Sequence, residues 1–226
     1  MSVARNTLVQ SSLTLGSRVL GMVRDILLIA KIGAGPIGDA WATAQQFPNL
    51  FRRIFAEGAF ASAFVPTYAR TLEAEGTEAA RDVAQEALRV LFAATAALTI
   101  LAQIFMPWVL LLIHGGQADD PESYGLAVLL TRITMPYLTF MAIAALLSGV
   151  LNSAERFILS AGAPTLLNLS LIPAAFVAPD AKGTALAAAV AYFVAGVLQA
   201  GALWWGVNRQ KVRLSLIGWP PPSRRC

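Results

Sequence analysis

Charge is what this chain has least of. Only 13% of its 226 residues are Asp, Glu, Lys or Arg, about half the roughly 25% of a soluble domain. That shortage excludes an ordinary water-soluble surface. Cysteine and histidine are scarcer still, with one of each, Cys226 and His114. A single thiol excludes an internal disulfide and a thiolate metal centre. A lone histidine leaves no partner for a metal or acid–base cluster, and at the end of an apolar run it reads as an interfacial residue. No paired acid, His or Cys arrangement suits hydrolytic chemistry, so an enzyme is not expected, and neither is a cofactor or a metal. Nor is the N-terminal segment expected to be a secretory signal. The first apolar segment contains Arg18, Arg24 and Asp25, and no short apolar core precedes a small-residue cleavage site.

What the chain does have is apolar length. Residues are 57% hydrophobic and the mean hydropathy is +0.62, in long runs rather than alternation, which predicts an all-α integral membrane protein. Six segments reach the roughly 20 residues of a crossing: Leu8–Ile32, Ala40–Val65, Leu88–Ile113, Leu126–Leu151, Ile158–Val177 and Thr184–Val207. Short turn-rich stretches join them: "GAGPIGD", "LEAEGTEAARD", "HGGQADDPESYG", "NSAER" and "APDAKG". No internal repeat or inserted soluble domain is visible. These spans form one unit over residues 1–213. The basic, proline-containing 214–226 reads as a cytosolic tail and a point of truncation.

Net charge of +4 invites a nucleic-acid reading, but placement answers it. With the N-terminus inside, the cytosolic side holds ten basic residues: Arg5, Arg70, Arg81, Arg89, Arg156, Arg209, Lys211, Arg213, Arg224 and Arg225. The opposite side holds two, Lys31 and Lys182. This positive-inside asymmetry predicts a membrane protein with both termini cytosolic. Nucleic acid is not expected as a partner; the bilayer is.

Five basic residues remain inside spans: Arg18, Arg24, Arg52, Arg53 and Arg132. Each arginine at a helix centre costs about 2.5–3.5 kcal/mol on insertion scales. In the first span Ser11, Thr14, Arg18, Gly21 and Asp25 form one helical stripe, widened by Ser17 and Arg24. Leu13, Leu20 and Leu27 fall on the opposite side. In the second, "PNLFRRIFAEGAFASAFVP" (Pro48–Pro66), the residues Gln45, Asn49, Arg52/Arg53 and Glu57 advance along one face. Arg53 can pair with Glu57 at i+4, which leaves Arg52 without an intrahelical acid. Pro48 predicts a kink or hinge. Asp39 stands at the start of this helix, placed to cap it or to face a cavity mouth.

One reading makes these charges mutual glue: Arg18 with Asp25, Arg53 with Glu57, Arg24 with Asp39. It requires balance, yet four bases face three acids, an excess of one that Arg132 raises to two. A visiting anion resolves the excess, and the planar guanidinium fork suits a phosphate. Ser17, Arg18, Arg24, Asp25, Asn49 and Arg52 are then expected to line one concavity between the first two spans. Arg132, near a span end, can snorkel and carries little weight.

The other spans are blander. The third is uncharged from Val90 to Ile113, with Pro107 in it, and reads as scaffold. "MPYLTF" (Met135–Phe140) brings a proline into the fourth. Asn152 in "LNSAERF" is placed to cap a helix end. Asn168, bracketed by prolines in "APTLLNLSLIP", reads as interhelical glue rather than ligand.

These motifs carry a resemblance. "SRVLGMVRD" (Ser17–Asp25), the long Arg-Arg segment, "MPYLTF", and "LNSAERF" followed by "APTLLNLS" resemble the MurJ/MviN lipid II flippases of the multidrug/oligosaccharidyl-lipid/polysaccharide exporter superfamily, over almost the whole chain to about Arg213. The resemblance implies one lobe of six helices from a two-lobed transporter of about fourteen spans around a central cationic cavity. The implied substrate is the undecaprenyl-diphosphate-linked peptidoglycan precursor, flipped from the cytoplasmic to the periplasmic leaflet. It places Arg18, Arg24, Asp39 and Arg52 among the cavity charges, with Ser17 and Glu57 in matching motifs. Arg18, Arg24 and Arg52 are thus the candidate diphosphate ligands, supported by Ser17, Asp25, Asp39, Asn49, Arg53 and Glu57. The remaining partner expected is a C-terminal lobe. Two alternatives stand beside this: an exporter of another polyprenyl-linked glycan, and a non-transporting scaffold in which charges only pair helices.

Overall fold

Lipid offers backbone N–H and C=O groups no partner, so apolar segments of this length close their hydrogen bonds within themselves as helices. The computed structural model describes residues 3–54, 58–113, 121–154, 156–210 and 214, with side chains at all of these except 3–10, 52 and 59. Eight helices appear among the described residues: α1 (Val3–Ile32), α2 (Pro36–Arg52), α3 (Ala59–Glu75), α4 (Thr77–Ile113), α5 (Pro121–Thr134), α6 (Tyr137–Ser153), α7 (Phe157–Val177) and α8 (Ala181–Arg209). They make six passes: α1, α2–α3, α4, α5–α6, α7 and α8. Four of these, α4, α5–α6, α7 and α8, are long and apolar enough to cross a membrane by composition alone. The charged stretches already described lie in the other two.

Two passes expected as single helices are broken. Beyond α2, Arg53 and Ile54 continue in a wider π-type turn, and α3 resumes after Gly58. A Cβ on Gly58 would lie 2.6 Å from the Ile54 carbonyl oxygen and 2.8 Å from that of Arg53. The chain closes there so tightly that only glycine fits. Pro48, where a kink or hinge is expected, stands inside α2, which runs on to Arg52. The fourth pass breaks at Met135–Pro136 between α5 and α6. Conversely, "LEAEGTEAARD", expected as a loop, is almost wholly helical. α3 runs to Glu75 and α4 starts at Thr77, with only Gly76 (φ +87°) between them. Ala80, Ala84 and Leu88, at four-residue spacing, bury one face of this early part of α4 beside Phe64 and Tyr68 of α3. That apolar stripe, not loop composition, decided the local structure.

The pairings α1 with α7, α7 with α8, α6 with α8 and α2 with α5 hold the bundle together. Its buried residues form two clusters. One gathers Leu28, Ile32, Trp41, Leu130, Tyr137, Leu171 and Tyr192 around α2, α5 and the first half of α8. The other gathers Phe64, Tyr68, Leu88, Leu147, Leu151 and Leu203 around α3, α6 and the far end of α8. Three polar rungs tie α4 to α5–α6. The Tyr124 hydroxyl donates to the Pro107 carbonyl, Gln103 Nε2 donates to the Arg132 carbonyl at 2.8 Å, and the Thr99 and Thr139 hydroxyls meet at 3.2 Å.

Candidate functional site on the first helix

α1 has three longitudinal sectors, not the two expected. Leu15, Val19, Met22, Ile26 and Ile29 form an exposed apolar sector. Leu13, Ser17, Leu20, Gly21, Arg24, Leu27 and Leu28 are buried or half-buried, on the side where α1 packs along α7. Between these lie Ser11, Thr14, Arg18 and Asp25, all exposed. The polar wedge is therefore split. Its Ser17–Gly21–Arg24 edge faces a neighbouring helix and its Arg18 edge stays open. Leu13, Leu20 and Leu27 share the packed side with Ser17 and Arg24 instead of opposing them.

Asn168 of α7 organises the packed edge. Only 4% of it is exposed. Its Nδ2 donates to the Ser17 carbonyl at 2.8 Å and lies 3.5 Å from Ser17 Oγ. Its Oδ1 accepts from Arg24 Nη1 at 2.9 Å. The amide lies across Gly21, where an added Cβ would come within 3.6 Å of Oδ1. Arg24 also donates from Nε and Nη2 to Asp25 Oδ1, at 2.9 and 2.8 Å. The side chain of Arg24 is 14% exposed and that of Asp25 51%. A guanidinium has five N–H donors, of which these contacts take three and leave two, one on each terminal nitrogen. Asp25 and Asn168 thus fix the plane of Arg24 while Asp25 balances its charge.

The expected glue pairs are corrected at this point. Asp25 partners Arg24, not Arg18. Arg24 finds its acid one residue along the chain and not in Asp39, which stands exposed in the first turn of α2. Arg18 has no acid partner among the described residues. The reason is position: Arg24 sits on the α7-facing edge, where the Asn168 carbonyl oxygen and Asp25 converge on it. Asn168 itself behaves as the interhelical tie expected of it; its partners were hidden because they are more than 140 residues away in sequence.

The second pass contributes less that can be placed. Asn49 and Arg53 are exposed, the backbone of Arg52 closes α2, its side chain lies outside the described set, and so does Glu57. α1 and α2 meet only briefly. A cavity of about 250 Å³ lies where α1 faces α3, touched by Thr14, Ala61 and Val65 and walled by Ser148 and Asn152 of α6, Ser160 of α7 and Gln199 of α8. This cavity is distinct from the concavity expected between the first two passes, whose Arg52 and Glu57 side chains lie outside the described set. Asn152 does not cap α6: its Oδ1 accepts from the Ser160 hydroxyl and ties α6 to α7 across this cavity.

An apolar bundle of six passes, with one exposed and one clamped arginine on its first helix, is an all-α membrane protein. The comparisons are specific. Residues 29–221 match the family model of the lipid II flippase MurJ, beyond Arg213. A probable lipid II flippase MurJ of Rhizobium tropici is 40% identical over 224 residues, covering 96% of this chain and 42% of that protein. The lipid II flippase MurJ of Burkholderia cenocepacia is 41% identical over 200 residues, covering 88% and 39%. A solved lipid II flippase MurJ in an inward closed conformation superposes with a TM-score of 0.74 at 26% identity, over 92% of this chain and 44% of that one. The chain belongs to the lipid II flippase MurJ family. It spans about two fifths of the length of the curated relatives it matches.

Proposed function

We propose that this chain is the N-terminal lobe of a flippase that carries undecaprenyl-diphosphate-linked peptidoglycan precursor across the bacterial inner membrane by alternating access, without catalysing a reaction. The observation that carries the reading is the split polar wedge of α1. Arg24 is neutralised and held rigid by Asp25 and Asn168, whereas Arg18, six residues earlier, is exposed and has no acid partner among the described residues. A fixed guanidinium with two free N–H groups beside an uncompensated one suits a diphosphate, and the isoprenoid tail would stay in lipid. Arg52, at the end of α2, is the third ligand of this reading, with Ser17, Asp25, Asp39, Asn49, Arg53 and Glu57 around it. Residues 1–213 form the lobe and 214–226 a cytosolic tail, both ends facing the cytosol. Relatives of more than twice this length supply the expected partner, a second lobe closing the cavity from the other side.

The clamp on Arg24 favours one competing reading, a scaffold whose charges only pair helices. Complementation of a flippase-depleted bacterium separates the two, using the protein at the length of its relatives and scoring membrane abundance in parallel. Arg18→Ala is expected to abolish growth at normal abundance. Normal growth would leave the scaffold reading standing.

A further inference from the structure

Arg132 is the one charged residue of the fourth pass between Glu122 and Ser153. It lies eleven residues into α5, about 16 Å along the helix at 1.5 Å per residue, where the hydrocarbon layer is about 30 Å thick. Counted from Leu126, where the apolar run begins, it is six residues in, near the span end as expected from the sequence. Its Nε is buried and has no acceptor. The α4 segment beside it is uncharged from Val90 to Ile113, and Glu122 is bound instead to Lys182 at 3.3 Å. Of the other helices packed on α5, α8 has no charge between Lys182 and Arg209, and α2 has only Asp39 and Arg52 at its two ends. Arg89 also has a buried, unpartnered Nε, but it follows the charged start of α4 and lies close to water.

We propose that Arg132 holds the phosphodiester of a membrane phospholipid in the groove between α4 and α5. Three observations point to a lipid and not to a protein carboxylate. On the stretches of α4 and α5 that flank Gln103 and Arg132, the exposed side chains are apolar: Ile100 is 61%, Ile104 53% and Leu129 46% exposed. This suits acyl chains and leaves an anion wanted at one point. Gln103 Nε2 binds the Arg132 carbonyl, so the backbone here is fixed and the guanidinium is presented from a held base. Finally, α4 packs on α3, α5 and α6 whereas α1 packs mainly on α7 and α8, so Arg132 and the arginines of α1 belong to different helix groups. A side chain on a helix leans toward its N-terminus, here the start of α5. Arg132 therefore reaches about one turn closer to the headgroups than its Cα, and snorkelling with a local lipid adjustment covers the rest.

The test uses the purified, delipidated chain in detergent, titrated with phosphatidylglycerol or with diacylglycerol of the same acyl chains. Bound lipid is read by native mass spectrometry and protection by thermal unfolding. Wild type is expected to retain phosphatidylglycerol and not diacylglycerol. Arg132→Leu should weaken that retention about tenfold, the loss of one charge-assisted contact, and Arg132→Lys should fall between. Arg18→Gln should keep the component that Arg132→Leu loses. Equal binding of diacylglycerol, undiminished phosphatidylglycerol binding by Arg132→Leu, or loss in Arg18→Gln alone would each overturn the proposal. If Arg132→Leu does not accumulate, Arg132→Gln and Arg132→Lys decide it, and wild-type titrations from both overturn it equally.

Discussion

The Thr134 hydroxyl lies 3.2 Å from the carbonyl oxygen of Ala44, the residue whose helical hydrogen bond Pro48 cannot make. It divides its proton between that carbonyl and Thr131 of its own helix at 3.1 Å. The same logic recurs at Pro136, which leaves the Arg132 carbonyl free, and Gln103 fills it. Proline removes the N–H that would answer the carbonyl four residues back. In lipid, a neighbouring side chain must then supply the donor. The first repair serves α2, which continues through Pro48; the second serves the break between α5 and α6.

Thr134→Val keeps shape and removes the donor. It should lower stability by about 0.5–2 kcal/mol, the range of interhelical hydrogen bonds in membranes, with Thr134→Ser restoring most of it. Gln103→Leu should act similarly at Arg132. Thermal unfolding of the purified variants measures both. An unchanged midpoint for Thr134→Val would show that the Ala44 carbonyl needs no partner.

Orientation is open to direct measurement. Reporter fusions at Gly116 and Lys182 should report the periplasm, and fusions at Gly76 and Glu155 the cytosol, because ten basic residues against two favour that arrangement. A cytosolic signal at Gly116 would invert the whole topology.

Accessibility distinguishes the two edges of the polar wedge on α1. With Cys226 replaced by serine, cysteines at Thr14 and Arg18 should react with a water-soluble maleimide. Cysteines at Ser17, Leu20 and Leu28 should resist it, being turned toward α7. Equal labelling at Ser17 and Arg18 would mean that α1 is not docked on α7 as found.

Much of this was readable beforehand because it is local. Apolar runs about 20 residues long mark the passes, and a stripe at three- and four-residue spacing marks a helix face. The apolar positions Ala80, Ala84 and Leu88 were equally visible, but charged neighbours in "EAARD" masked them. What sequence could not supply was the choice of neighbour. Nothing local says that Asn168 will lie across Gly21, or that α1 will meet α7 far more extensively than α2. The pairing of Arg24 with Asp25 was passed over for a similar reason. Adjacent residues point about 100° apart on a helix, and only the pull of Asn168 on Nη1 shows why the guanidinium bends back.

Asn168 can be tested as the residue that positions Arg24. Asn168→Leu removes three contacts and should reduce complementation and abundance together. Asn168→Asp keeps the acceptor for Arg24 but loses the donation to Ser17. It should retain more abundance than Asn168→Leu and place a second negative charge beside Arg24, disfavouring an anionic cargo. Near-normal abundance with lost complementation in Asn168→Asp is the outcome expected of a positioning role. Parallel loss of both in every variant would reduce Asn168 to a structural tie.

The adjacent arginines of the second pass make the sharpest contrast. Arg52 ends α2, whereas Arg53 begins the widened turn and is exposed. If Arg52 holds a diphosphate, both its charge and its planar fork matter. Arg52→Ala should abolish complementation without loss of protein, and Arg52→Lys should restore it only in part, since lysine keeps the charge but not the bidentate geometry. If Arg53 instead pairs with Glu57, its removal strands a carboxylate and should lower abundance. Adding Glu57→Gln should then return abundance toward normal, a non-additivity that marks a direct pair. The two arginines are adjacent in sequence yet are expected to fail differently, one in transport and one in folding. The assay is growth of a flippase-depleted cell beside membrane abundance of each variant. Normal growth on Arg52→Ala would remove Arg52 from the diphosphate site, and additive losses for Arg53 and Glu57 would dissolve the pair.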